Sequence, residues 1–156
     1  MAESTPPTDQ VSTIMSTKLV TIKSTDTVGK ALRIMVKHKI GSIIAVEKGK
    51  PVGILTERDI SMKVAKAQSI RGLLVKKAMS KPLVTVGASM DIWDAVEQMV
   101  RKDIRRLPIM EGGKLVGMVT ERDILRWLLK TAYEPHIPED LKELLESRAH
   151  AHSVAQ

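Results

Sequence analysis

Two short stretches carry the residue types best able to do chemistry. Thr-Glu-Arg-Asp-Ile runs from Thr56 to Ile60 and returns from Thr120 to Ile124. In both, a hydroxyl and a carboxylate stand three residues apart, the spacing at which two side chains satisfy the orphan N–H groups of a first helical turn. A well-made helix start is the plainest reading. The same place gathers unpaired N–H groups and the positive end of the helix dipole, so it also suits an anion.

Other chemistry finds little support. Gly29-Lys30-Ala31 resembles part of a phosphate loop, but such a loop needs glycine where Ser24 stands and Ser or Thr where Ala31 stands. His150 and His152 lack a third ligand, and His38 and His136 stand apart, so no metal is expected. No nucleophile, base and orienting group come together as hydrolases require, and no catalytic residue is assigned. The expectation is a protein that is not an enzyme.

Composition narrows the class. With 156 residues the chain has room for one compact domain or two small modules sharing a core. Aromatic residues make up 2% with no Phe, so the core must be Ile, Leu, Val and Met, and stacking platforms for nucleic-acid bases are scarce. Cysteine is absent, which removes disulfides and thiolate chemistry and points to a cytoplasmic protein. The start, Met1 to Gln10, lacks the basic and apolar regions of a signal peptide, and no apolar run is long enough for a membrane span. A formal charge of +7 favours anionic partners, yet the basic residues are spread along the chain.

The elements that must position the two stretches follow from a repeat. Val11 to Ile60 aligns with Val75 to Ile124 without a gap, and 20 of the 50 pairs are identical, among them Met15/Met79, Leu19-Val20-Thr21/Leu83-Val84-Thr85 and Met35/Met99. Each copy reads as a short extended segment, then a cap among residues 24–27 or 88–91, then a helix. Val28, Ala31, Leu32 and Met35 lie at i, i+3, i+4 and i+7, as do Ile92, Ala95, Val96 and Met99. Two apolar runs around a glycine turn then predict a hairpin. Thr-Glu-Arg-Asp-Ile opens a second helix, with Ile60, Met62 and Val64, or Ile124, Leu125, Leu128 and Leu129, on its apolar side. The unit is β-α-β-β-α. About 60 residues bury too little apolar surface alone, so an α/β (α+β) body of two pseudo-twofold copies packed through their sheets is expected.

These residues, with Ile104 to Met110 before the second turn, resemble tandem cystathionine beta-synthase (CBS) domains paired as a Bateman module. The resemblance covers about Val11 to Leu129. It implies a stand-alone regulatory or sensor module that takes adenosine-containing ligands, AMP, ADP, ATP or S-adenosylmethionine, in two clefts between the repeats. By position, one cleft takes Ile54, Thr56 and Asp59 with Pro82, Leu83, Val84, Ile104, Arg106 and Pro108. The other takes Met118, Thr120 and Asp123 with Lys18, Val20, Ile40 and Ser42.

The chemistry suits those roles. A carboxylate accepts two hydrogen bonds from a ribose diol, which fits Asp59 and Asp123. Aliphatic side chains such as Leu83, Val84, Val20 and Ile40 can sandwich a purine, and Arg106 offers a fixed fork to phosphate. Where the second repeat has Arg105-Arg106-Leu107-Pro108 the first has Gly41-Ser42-Ile43-Ile44, so the cleft with Asp59 and Arg106 is expected to favour phosphate more strongly.

The resemblance also implies a homodimer formed through the helices, and Trp93 and Trp127 are expected to pack in the core or at that contact. The domain reading is a tail at 1–10, repeat one at 11–66, a linker at 67–74, repeat two at 75–130 and an extension at 131–156 with a short helix bearing Leu141, Leu144 and Leu145. No output domain is recognised, so an unknown effector protein is the expected listener. The charge leaves a nucleic-acid-associated regulator as an alternative. A structural adaptor without a small-molecule ligand is another.

Overall fold

The computed structural model describes residues 9–66 and 69–133. Residues 1–8, 67–68 and 134–156, including the expected C-terminal helix, lie outside the described part. The expected order of elements is present twice. It runs β1 (Thr21–Lys23), α1 (Val28–His38), β2 (Ser42–Glu47), β3 (Lys50–Thr56), α2 (Glu57–Val64), and, after a short α3 (Val75–Ala78), β4 (Val86–Gly87), α4 (Ile92–Lys102), β5 (Arg106–Glu111), β6 (Lys114–Thr120) and α5 (Glu121–Tyr133).

Two three-stranded sheets result, ordered β1-β2-β3 and β4-β5-β6. In each, the first pair is parallel and the second antiparallel. The hairpins share one register, with Ser42 opposite Thr56 and Ile44 opposite Ile54 in the first, Arg106 opposite Thr120 and Pro108 opposite Met118 in the second. Lys48 and Gly49 both take left-handed backbone, φ 49° and 76°, the turn whose twist matches a two-residue hairpin.

Local chemistry sets the helix limits. The Thr27 side chain accepts from Lys30 N at 3.2 Å to start α1, and the Asp91 carboxylate accepts from Trp93 N at 2.7 Å to start α4. Both helices stop at equivalent left-handed residues, Lys39 (φ 53°) and Asp103 (φ 49°), whose N–H groups turn back onto the last carbonyls. The apolar stripes face inward as expected, with Val28, Ala31, Met35, Ile92, Ala95 and Met99 all buried. The second helices differ from expectation. Ile60 is buried, whereas Met62, two residues on and so on the opposite face, is 53% exposed, and Val64 at the helix end is 55% exposed. Leu125, a hundred degrees round from Ile124, is likewise out in solvent.

The compact units do not coincide with the repeats. Among the described residues, one comprises Val20–Val84, and the other joins residues 9–19 to residues 85–133. In the β1–β3 unit, Ile70, Val75 and Ala78, which follow the first repeat, complete the core with Ile43 and Leu55. Fully burying aliphatic side chains of this kind stabilises by roughly 1.5–3 kcal/mol each. In the β4–β6 unit the part is taken by Val11, fully buried, whose N–H donates to Met90 O at 2.9 Å, while Ile92 N donates to Asp9 O.

Each closing segment lies on the last strand of its hairpin. Ile54 and Ser80 exchange backbone hydrogen bonds at 3.1 and 2.9 Å, and Met118 and Ser16 do so at 2.9 Å both ways. A glycine makes the approach possible. A Cβ on Gly53 would stand 2.6 Å from Met79 Sδ and 2.9 Å from the Ser80 carbonyl; on Gly117 it would stand 2.5 Å from Met15 Sδ and 3.1 Å from the Ser16 carbonyl.

Candidate functional site

Both Thr-x-x-Asp stretches sit where a strand becomes a helix. β3 ends on Thr56 and β6 on Thr120, and the first N–H of each helix is already used, Glu57 N donating to Gly41 O and Glu121 N to Arg105 O. At Thr56, the N–H and the hydroxyl both donate to Asp59 Oδ2, at 2.9 and 2.8 Å, while Asp59 N donates back to Thr56 Oγ1 at 3.2 Å. Thr120 and Asp123 repeat this at 2.8, 2.7 and 3.3 Å. The capping reading is therefore correct at both places. It also leaves each carboxylate with one oxygen, Oδ1, outside the box.

That second oxygen meets different company. In the β1–β3 unit, Ser80 Oγ donates to Asp59 Oδ1 at 2.7 Å. In the β4–β6 unit, Asp123 Oδ1 faces the Arg126 guanidinium at 3.8 Å. Arg126 takes the place of Met62, so a cation stands three residues after Asp123 where the equivalent position after Asp59 is apolar.

The sixteen sequence-assigned residues divide between the units. The β1–β3 unit holds Val20, Ile40, Ser42, Ile54, Thr56, Asp59, Pro82, Leu83 and Val84; Ser42 is buried opposite Thr56, and Pro82 to Val84 follow Ser80 directly. The β4–β6 unit holds Lys18, Ile104, Arg106, Pro108, Met118, Thr120 and Asp123. Arg106, assigned with Asp59, lies on the strand paired with Thr120, and Pro108 is fully buried opposite Met118, while Lys18 is exposed.

Sequence reasoning passed over Ser80, Gly53, Gly117 and Arg126. Part of the signal was there. Met-Ser recurs at 15–16 and 79–80, and glycine recurs at 53 and 117, with nothing local to explain either. Among the described residues no three acidic or histidine side chains are placed to hold a metal, and no helix is long and apolar enough to cross a membrane.

The family model for the CBS domain matches the chain twice, over residues 11–66 and 75–130. The chain belongs to the CBS domain family. It is 38% identical over 128 residues, 80% of its length, to the uncharacterized protein MK0525 of Methanopyrus kandleri, and 37% identical over 111 residues to the CBS domain-containing protein YhcV of Bacillus subtilis, of which it covers 79%. It spans 62% of the Methanopyrus protein and 32% of another archaeal relative. Among solved structures, the CBS domain pair of protein MJ0100 in complex with 5′-methylthioadenosine and S-adenosyl-L-methionine superposes with a TM-score of 0.71 at 27% identity, over 78% of this chain and 97% of that one. The two CBS repeats of this chain thus carry the family's mixed α/β fold, and their twin Thr-x-x-Asp boxes sit at equivalent strand-to-helix junctions.

Proposed function

We propose that this CBS pair is a cytoplasmic regulatory module that binds an adenosine-containing ligand, AMP, ADP, ATP or S-adenosylmethionine, with Asp59 and Asp123 taking the ribose diol. The observation that carries the reading is the second carboxylate oxygen at each aspartate, outside the capping box and presented at a helix N-terminus. One oxygen is spent on the cap; the other faces Arg126 at 3.8 Å in Asp123 and accepts from Ser80 Oγ at 2.7 Å in Asp59, where a ligand must displace the serine. A related CBS pair with 5′-methylthioadenosine and S-adenosyl-L-methionine bound supports the same ligand class.

Arg106 and Arg126 are the arginines proposed for the phosphate end, and Val20, Ile40, Leu83 and Val84 for the purine. Helices α1 and α4 are proposed as the homodimer contact, because Val36 and Val100 occupy equivalent positions and are 77% and 76% exposed. The test is a calorimetric titration of nucleotide-stripped protein with AMP, ADP, ATP, S-adenosylmethionine and GTP. Saturable binding of the adenosine compounds over GTP is expected. No binding to any of them would overturn the reading and turn attention to nucleic acid or to an adaptor role.

A further inference from the structure

The two CBS units differ at one hydroxyl, and from this we infer that Ser80 is a brake on the Asp59 site, so that the Asp123 site takes the ribose diol first. The inference rests on the adenosine reading.

A carboxylate offers about four lone-pair positions to donors. At Asp59 three are filled by the protein, by Thr56 N at 2.9 Å, Thr56 Oγ1 at 2.8 Å and Ser80 Oγ at 2.7 Å. At Asp123 two are filled, by Thr120 N at 2.8 Å and Thr120 Oγ1 at 2.7 Å, and the Arg126 guanidinium at 3.8 Å is beyond hydrogen-bonding distance. A vicinal diol brings two O–H donors. Asp123 has places for both, whereas Asp59 must release Ser80.

The geometry also shows how that release occurs. Ser80 is pinned by its backbone, its N–H on Ile54 O and its carbonyl on Ile54 N, so the hydroxyl leaves by rotating about its own side-chain bond while the segment stays in place. Ser16 is its equivalent in the other unit. It makes the same two backbone bonds to Met118, and its side chain is not on Asp123. The pair therefore isolates the hydroxyl from the backbone that carries it.

The experiment is a calorimetric titration with adenosine and with 2′-deoxyadenosine, on full-length protein carrying Asp123→Ala so that the Asp59 site alone reports. Adding Ser80→Ala should tighten adenosine by about 2- to 10-fold, the worth of one net hydrogen bond. The 2′-deoxy compound brings one hydroxyl, fits the remaining position and should be indifferent to Ser80. Ser16→Ala in the same background should leave both affinities unchanged. Adenosine binding that is unchanged or weaker in Ser80→Ala, or an equal gain from Ser16→Ala, overturns the brake while leaving the ligand class standing. If neither the wild type nor any variant binds adenosine, the ligand reading itself fails and the brake falls with it.

Discussion

The β1–β3 and β4–β6 units are built to one plan and finished differently. Strand order, hairpin register, helix stops and capping box coincide position by position. What differs is who attends the aspartate: a serine hydroxyl at Asp59, an arginine one turn along at Asp123. The backbone of a repeat is thus held in common by caps and close packing, which tolerate little change. Single side chains around the carboxylate are free to drift, and they set what each site prefers.

The two units should differ most when their carboxylates are removed one at a time. Asp59→Ala and Asp123→Ala should each weaken adenosine binding by about 10- to 100-fold at one site only, as expected for lost hydrogen bonds to a charged group, read as one of two calorimetric transitions disappearing. A single variant that abolished both would mean the sites are not separate.

Next come the glycines. Gly53→Ala should destabilise by about 1–3 kcal/mol, and by more than Gly117→Ala, because the added methyl meets the Ser80 carbonyl at 2.9 Å but the Ser16 carbonyl at 3.1 Å. Urea denaturation of the two variants checks the order. On the helices, Val36→Glu and Val100→Glu should each weaken self-association by about 5-fold or more in sedimentation equilibrium, since both place a charge in an apolar contact. Unequal losses would show which helix carries the dimer.

The smallest effect concerns a pair found in one unit alone. The Lys30 ammonium, hydrogen-bonded to Asp26 at 2.9 Å, holds that carboxyl below its ordinary range. A lowered carboxyl pKa contributes stability above the unfolded value, and this is lost as pH falls through the folded one. Lys30→Ala should therefore cost slightly more at pH 6 than in strong acid. The equivalent positions in the other unit are Met90 and Asp94, so its amides should show no such difference in hydrogen exchange.

Much of this was legible in the sequence, and the reasons are local. The stripe from Val28 to Met35 announces α1 because its period is helical, and Thr56-x-x-Asp59 announces α2 because capping needs only four consecutive residues. The exposure of Met62 and Leu125 was missed although their spacing from Ile60 and Ile124 already turns them away. A list of apolar residues says less than their angles about the helix axis. The pairing of Ser80 with Asp59 was hidden for another reason: it joins residues 21 apart through a backbone approach that only Gly53 permits. Periodicity does not report contacts of that kind, and only the recurrence of Met-Ser and of glycine in both copies hinted at them.

The exchange of opening segments has a consequence for the order in which the molecule is made. Contacts between distant residues close slowly, and chains fold from the N-terminus as they emerge during synthesis. Among the described residues the β1–β3 unit is one stretch from Val20 to Val84, so it can close while the remainder is still being translated. The β4–β6 unit cannot. Asp9, whose carboxylate accepts from the Trp127 indole N–H, lies 118 residues upstream of it, and Ser16 waits for Met118. Residues 9–16 are thus made before the β1–β3 unit yet find their places after it, and one half of the molecule is finished while the other is still missing its final strand.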